Sequence, residues 1–191
     1  MNASTWDKSR VIYYKVTEEG LRDPRGTMFL SLMAYEIQSN KQRLRGHLLE
    51  ESDKAIEDAN KNMTDARSAL KGLLNAVDKL GLAAVRTREK ATGQSASNHF
   101  SKSSEAFRLA AKKLEEVNVR NREDVLQPFW EAKIKKYELY ARGADLEREM
   151  IRLVLDDSIP DVEALAPKIK DVEKRRDDTA RDAEKITVDV R

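Results

Sequence analysis

Residues 49–84, LEESDKAIEDANKNMTDARSALKGLLNAVDKLGLAA, contain apolar residues at nearly every third or fourth position and no proline. One apolar set recurs every seven residues, and a second set follows three residues later: Leu49, Ile56, Met63, Leu70, Val77 and Ala84, with Ala59, Ala66, Leu73 and Leu80. These are the a and d positions of a coiled-coil heptad. The pattern predicts a long helix that packs through a narrow aliphatic stripe.

The composition agrees with long helices. The 191 residues are 37% charged and 40% hydrophobic, and the chain has only seven glycines and four prolines. Residues that break a chain into many short elements are therefore scarce. The 36 Lys and Arg residues nearly balance the 34 Asp and Glu residues, and the two signs are mixed along the chain. Nucleic-acid binding needs a clustered basic stripe, so we expect no nucleic-acid partner.

The order of helix formers and turn formers predicts two parts of the chain. Residues 1–26 combine a short β-branched and aromatic run with Gly and Pro, and we expect an irregular N-terminal leader. We expect residues 27–191 to form a helical domain. Its first helix is expected to end near Ala91, and residues 91–97, ATGQSAS, are predicted to form a loop.

A second helical stretch follows, with Phe100, Phe107 and Leu114 at heptad spacing. Pro128 interrupts it, so either the helix kinks there or another helix starts with proline in its first turn. Residues 156–160 predict a turn. The third helix is then expected to reach Arg191, with apolar positions interrupted only by Arg176: Val162, Leu165, Ile169, Val172, Thr179, Ala183, Ile186 and Val190.

These features predict an all-α protein, an elongated antiparallel three-helix coiled-coil bundle with a kinked second helix. Helices of about 55 to 65 residues would be roughly 80–100 Å long. Aromatic residues are absent between Glu36 and His99 and again after Tyr140, so the first and third helices have only thin aliphatic stripes. Such stripes usually need a partner along their length. We therefore expect a homodimer that can assemble further.

The residues needed for common catalytic and metal sites are scarce. The chain has no cysteine, and His47 and His99 are its only histidines, without the spacing of a zinc or di-iron site. The glycines are scattered singly, so no phosphate-binding loop is present. The longest uncharged apolar-rich run, residues 26–35, is shorter than the roughly 18–20 residues of a membrane span. We expect a cytoplasmic, non-enzymatic protein without metal or cofactor.

Two basic clusters in the second helical stretch are candidate lipid-binding residues. One comprises Arg108, Lys112 and Lys113, and the other comprises Lys133, Lys135 and Lys136. Each Lys or Arg near an anionic membrane contributes about 1 kcal/mol. The predicted lipid-binding set is Arg108, Lys112, Lys113, Lys133 and Lys136. Neighbouring glutamates leave a second interpretation open, a solvated helix face laced with ion pairs.

Phe129 and Trp130 lie beside Pro128 and allow two interpretations. Paired aromatic residues at such a position are more often anchors in the core than a wedge that inserts into lipid. We therefore expect both residues to pack in the core.

The stretch from Phe107 to Glu138 resembles the kinked second helix of Bin/amphiphysin/Rvs (BAR) domains, closest to the eisosome core type. The likeness lies in Phe107-Arg108-Leu109, Lys112, Val125-Leu126-Gln127-Pro128 and Ala132-Lys133-Ile134-Lys135-Lys136. The segment from Ile159-Pro160-Asp161-Val162-Glu163-Ala164-Leu165 to Ala183-Glu184 is similar in layout to the family's third helix.

The resemblance covers about residues 45–191 and implies a crescent-shaped antiparallel homodimer whose concave face binds anionic membrane. It places Arg108 and Lys112 on that face by motif position. The chain departs from the family at Asp156-Asp157-Ser158, where many members carry basic residues. This departure would weaken membrane contact at the ends of the dimer. The third helix is also shorter than in many members.

Two functions follow as hypotheses. The first is sensing or scaffolding of membrane curvature by an elongated homodimer, peripheral on the membrane, that binds anionic lipid through a basic concave face. The second is a soluble coiled-coil scaffold or protein-interaction module without membrane binding, which explains the same heptads with fewer assumptions.

Overall fold

The computed structural model describes residues 24–120 and 126–186, with side chains described for residues 32–118 and 126–186. These residues form five helices and no strand: α1 Pro24–Leu80, α2 Leu82–Arg88, α3 Lys90–Arg120, α4 Gln127–Leu155 and α5 Val162–Lys185. The predicted all-α fold is confirmed for this part of the chain.

The chain divides into two units, Met1–His47 and Leu48–Arg191. In the first unit the described residues, 24–47, are all helical, so α1 begins three residues before the predicted start at Thr27. The rest of the predicted leader, residues 1–23, lies outside the described residues. The second unit contains the hydrophobic core and every residue of the predicted lipid-binding set.

The buried stripe of α1 differs from the predicted heptad at both ends. The nine buried residues of this stripe are Leu48, Ser52, Ala55, Ala59, Met63, Ala66, Leu70, Leu73 and Val77. They are separated by three or four positions each, on average about 3.6 between Leu48 and Val77. That is the period of a straight α-helix, whereas a left-handed coiled coil repeats about every 3.5 residues. Leu49 and Ile56 are consequently only half-buried, and Leu80 is 50% exposed.

A hairpin at Gly81 reverses the chain between α1 and α2. Gly81 has a φ of 79°, which glycine adopts at little cost and other residues adopt rarely. Backbone N–H groups of Val85, Glu89 and Gly93 each donate to the carbonyl four residues earlier, so helical bonding continues from α2 into α3.

The loop predicted at residues 91–97 is wrong, because α3 begins at Lys90 and includes the whole segment. Gly93 explains the error. A Cβ at this position would lie 2.9 Å from Cδ1 of Leu155, so a side chain there would require Leu155, at the end of α4, to shift. The glycine permits close helix packing and does not end the helix.

The structure also corrects the predicted kinked second helix. In place of one long helix there are two, α3 and α4, and Pro128 lies in the first turn of α4, the alternative that the sequence left open. Residues 121–125 lie outside the described residues. Gly93 approaches Leu155, and the rings of Phe107 and Tyr140 lie 5.5 Å apart, so residue numbers rise on α3 as they fall on α4. The two helices are therefore antiparallel neighbours.

Further contacts set the remaining directions. Ser52 Oγ donates to the carbonyl of Ala110 at 3.2 Å and Ser103 Oγ donates to that of Ala59 at 2.9 Å, so α1 and α3 are antiparallel. A short turn joins α4 to α5, and Arg175 pairs with Glu149 across these two helices. The chain thus forms four helical segments that alternate in direction. The first is α1 from Leu48 onward, the second is α2 together with α3, the third is α4, and the fourth is α5.

One hydrophobic cluster joins these segments. The predicted core residues Phe100, Phe107 and Leu114 are at most 3% exposed, which confirms their positions. In α5, Leu165, Val172, Thr179 and Ala183 are buried as expected, whereas Ile169 is half-buried and Val162 is 39% exposed. The thin stripes thus face one another within a single chain.

The turn predicted after α4 is confirmed. Asp156 Oδ1 accepts a hydrogen bond from the backbone N–H of Ser158 at 2.9 Å, and Asp161 Oδ1 accepts one from the N–H of Ala164 at 2.8 Å. The second bond satisfies an unpaired donor of the first turn of α5 and fixes its start. The described helix ends at Lys185, and Val190 lies outside the described residues.

Candidate anion-binding surface

The antiparallel packing of α3 and α4 brings the two predicted basic clusters to one level. Phe107 lies opposite Tyr140. Lys112 is five residues further along α3 and Lys135 is five residues earlier on α4, so these two lysines are level with each other. Along one continuous helix the same residues would be separated by roughly 35 Å. The sequence alone did not predict this juxtaposition.

Two members of the predicted set pair with carboxylates of neighbouring helices. Arg108 Nη2 bonds Asp145 of α4, and Lys113 Nζ lies 2.8 Å from Glu51 Oε2 of α1. The hydrogen bond to Glu51 and the attraction of the nearby carboxylates raise the pKa of Lys113 against the opposing effect of desolvation. Ion pairs this exposed contribute about 0.2–1 kcal/mol each. Arg108 and Lys113 therefore tie helices together.

Lys133 lies over the aromatic pair that precedes it. Its ammonium is 5.0 Å from the ring centroid of Phe129 and 6.0 Å from that of Trp130, within the range of a cation–π interaction. The two rings pack edge to face at 4.8 Å. Trp130 is 6% exposed and Phe129 is half-buried. The prediction that Trp130 packs in the core is confirmed.

Three lysines at this level have no ion pair with any described residue: Lys112, Lys135 and Lys136. Lys112 and Lys135 are exposed, whereas Lys136 is half-buried. Nearby, Glu131 accepts a hydrogen bond from Gln127. We call Lys112, Lys133, Lys135 and Lys136 the lysine cluster. Among residues 32–118 and 126–186, none of its members pairs with a carboxylate.

The described residues contain little that resembles a catalytic or metal centre. His99 Nδ1 lies 2.9 Å from Asn62 Oδ1, a contact that links α3 to α1. Within residues 24–120 and 126–186, no three His, Cys, Asp or Glu side chains are grouped so that they could hold a metal ion. In the same part of the chain, no helix combines the length and the apolar character needed to cross a bilayer.

Sequence reasoning missed an ion pair between α1 and α4 in which the carboxylate is buried and the arginine is exposed. Arg67 Nε donates to both carboxylate oxygens of Glu147, at 2.9 and 3.0 Å, and Glu147 is only 4% exposed. A signal was present, because Glu147 lies three residues after Ala144 and four before Ile151, both of which are buried. A charged residue in such a stripe indicates a partner on a facing helix.

Known proteins provide no guide to this surface. No family model, no curated protein and no solved structure matches the chain. The functional assignment therefore depends on the packing and charge of the residues described above.

Proposed function

We propose that this protein is a non-enzymatic helical module that binds anionic lipid surfaces from the cytoplasm, peripherally, through the lysine cluster on α3 and α4. The observation that carries the proposal is the position of Lys112 level with Lys135 on adjacent antiparallel helices. The packing of α3 against α4 holds both lysines on one folded support, so one charged surface could contact them at the same time.

The strength of this interaction favours more than one copy. Lys112, Lys135 and Lys136 at about 1 kcal/mol each supply on the order of 3 kcal/mol. That free energy corresponds to a dissociation constant weaker than about 1 mM. Two copies that contact the same membrane would double the number of cations and gain avidity. The proposal therefore includes a homodimer as the membrane-binding form.

The curvature part of the proposal rests on the resemblance to BAR domains. In that family a crescent-shaped dimer binds membrane along its concave face. The break between α3 and α4 removes the continuous kinked helix that carried much of the likeness. Lipid binding by the lysine cluster does not depend on that kink, and we therefore treat curvature sensing or scaffolding as the finer hypothesis.

Co-sedimentation with vesicles tests the proposal. The variant Lys112→Glu/Lys135→Glu/Lys136→Glu should lose binding to phosphatidylserine-containing vesicles, because three attractive charges become repulsive. Wild-type binding should weaken with added salt, since exposed charges are screened within about 10 Å at 0.1 M. Circular dichroism should show an unchanged helical content, because none of these lysines has an ion pair with a described residue.

A control variant with the same change in net charge is available near the hairpin at Gly81. Lys79→Glu/Lys90→Glu/Lys168→Glu reverses three exposed lysines far along the helices from the lysine cluster. It should retain most of the binding. Equal loss in both variants, or equal binding to uncharged phosphatidylcholine vesicles, would contradict the proposal.

The second candidate function is a soluble helical scaffold or protein-interaction module. The ion pairs of Arg108 with Asp145 and Lys113 with Glu51 favour it, because they convert part of the predicted basic row into structural contacts. Under this hypothesis the wild-type protein does not sediment with anionic vesicles at low salt. The same experiment therefore separates the two functions.

A further inference from the structure

A groove with a volume of about 900 Å³ lies between α1, α4 and α5 in the second unit. Its apolar lining includes Met63, Leu70 and Phe107, which are at most 8% exposed, and Tyr140, which is 37% exposed. Pockets that hold small ligands have about this size and are mostly apolar, with a few polar groups that fix orientation. The volume of the groove thus falls within the range of ligand sites, and its lining combines apolar and charged side chains.

Gly143 lies in this groove, in the interior of α4. A Cβ at this position would meet no atom within 4 Å, so packing inside the described chain does not require a glycine. Glycine destabilises a helix interior relative to alanine, and it is used where a ligand approaches the backbone closely. At Gly93, by contrast, the side chain of Leu155 occupies the space that a Cβ would need. Gly143 leaves open space along the groove.

The cations of the groove are concentrated at one end. Arg67 on α1 pairs with Glu147 on α4, and Arg175 on α5 pairs with Glu149, which is two residues further along α4. Arg176 follows Arg175 and therefore lies at about the same level as Arg67, across the groove. Lys71 lies one helical turn beyond Arg67 on the same face of α1. Glu184 lies at the opposite end of the groove, near the level of Tyr140. The groove therefore has a basic end and an apolar-to-acidic end.

The ion pairs at the basic end leave one positive charge in excess. Both oxygens of Glu147 accept bonds from Arg67 Nε, and Arg176 pairs with Asp177. Lys71 is exposed and has no ion pair with a described residue. A singly charged anion would complete this arrangement, with Lys71 and the outer nitrogens of Arg67 as donors.

We infer that the groove binds a monomeric long-chain carboxylate, with its head group at Lys71 and Arg67 and its hydrocarbon chain passing Gly143 toward Phe107 and Tyr140. This site differs from the lysine cluster and does not depend on the proposed membrane function. The charge excess at the head end favours a monoanion, and the apolar residues beyond it bury the chain.

Isothermal titration calorimetry with laurate, below the concentration at which it forms micelles, tests the inference. Wild-type protein should bind one laurate per chain. Gly143→Leu fills the path of the chain and should raise the dissociation constant at least about tenfold. Lys71→Glu should raise it by a similar factor, and dodecyltrimethylammonium, which has the same chain and the opposite charge, should not bind the wild type comparably.

Two control variants match these changes outside the groove. Gly72→Leu adds the same side chain at an exposed glycine with open space around it, and Lys79→Glu makes the same charge reversal on α1. Both should bind laurate like the wild type. If Gly143→Leu fails to fold, as judged by circular dichroism, the exposed substitution Lys71→Glu decides the question.

Three results would overturn the inference. One is unchanged laurate affinity in Lys71→Glu and in folded Gly143→Leu. Another is many laurates bound per chain, as expected for nonspecific detergent-like association. The third is a change of oligomeric state in Gly143→Leu without a change in laurate affinity, which would assign the groove to a second copy of the chain. Loss of vesicle binding by the lysine-cluster variant, with laurate binding retained, would leave this inference intact.

Discussion

The two ends of the helical segments in residues 48–186 are held by different kinds of contact. At the turn end, near Gly81, Arg86 Nε donates to the carbonyl of Val154 at 3.0 Å and Arg86 Nη1 to that of Ile159 at 2.8 Å. At the lysine end, the charged contact is an ion pair between the side chains of Lys113 and Glu51, and the bond to a backbone carbonyl comes from an uncharged hydroxyl, Ser52 to Ala110. Hydrogen bonds from a nearly buried charged side chain contribute more to stability than a partly exposed ion pair does.

The largest difference between the ends should appear when Arg86 is replaced. Arg86→Met removes two charge-assisted hydrogen bonds from a side chain that is only 14% exposed, and it should lower the free energy of unfolding by about 2–4 kcal/mol. Lys113→Met, the matched change at the lysine end, should cost at most about 1 kcal/mol. Urea denaturation measures both. Equal costs would show that the two ends are held alike.

The hairpin provides a smaller test of the turn end. Gly81→Ala forces a side chain into a backbone conformation with φ of 79° and ψ of 159°, which is nearly exclusive to glycine, and should cost about 1–3 kcal/mol. Gly72→Ala, inside the exposed face of α1, should instead stabilise the protein by up to about 1 kcal/mol. Thermal unfolding of the two variants should therefore shift in opposite directions. A stabilised Gly81→Ala protein would contradict the described hairpin.

The smallest effect concerns the pH dependence of the turn after α4. Hydrogen bonds from the side chain and backbone of Ser158 lower the pKa of Asp156 below its ordinary value of 3.8. A carboxylate with a lowered pKa stabilises the fold above its unfolded pKa, and this contribution is lost as the pH falls through the folded value. Wild type should therefore lose slightly more stability than Asp156→Asn below pH 3.8. Urea midpoints above and below this pH provide the measurement, and identical pH profiles would contradict it.

Sequence patterns predicted well the features that depend on local spacing and turn chemistry. Phe100, Phe107 and Leu114 lie in the core, as the spacing of apolar residues along a helix predicts. The turn that starts at Asp156 is present, as the Asp, Ser and Pro residues there predict. Both signals come from residues that are close together in the sequence. The prediction of a loop at residues 91–97 failed because it overlooked a contact with a residue distant in the sequence. Gly93 faces Leu155, which is far away in sequence, so its role was invisible without the packing of α4.

The predicted lipid-binding set shares Lys112, Lys133 and Lys136 with the lysine cluster, but it includes Arg108 and Lys113 and omits Lys135. The basic clusters were evident from the sequence, yet the ion pairs of Arg108 with Asp145 and Lys113 with Glu51 join residues on different helices. The break before Pro128 also allowed two outcomes, a kink or a new helix. Only the contact between α3 and α4 decides between them, because local propensity is nearly the same for both.

By itself the sequence determined that the described chain is helical, which faces of the helices are apolar and which residues carry charge, since these properties follow from neighbours within one or two turns. Tertiary structure alone decided that α3 and α4 fold back on each other, that Lys112 and Lys135 come level and that Gly143 faces an open groove. The physical reason is that burial of the thin stripes depends on which helices meet, and this choice is made by packing over long sequence separations.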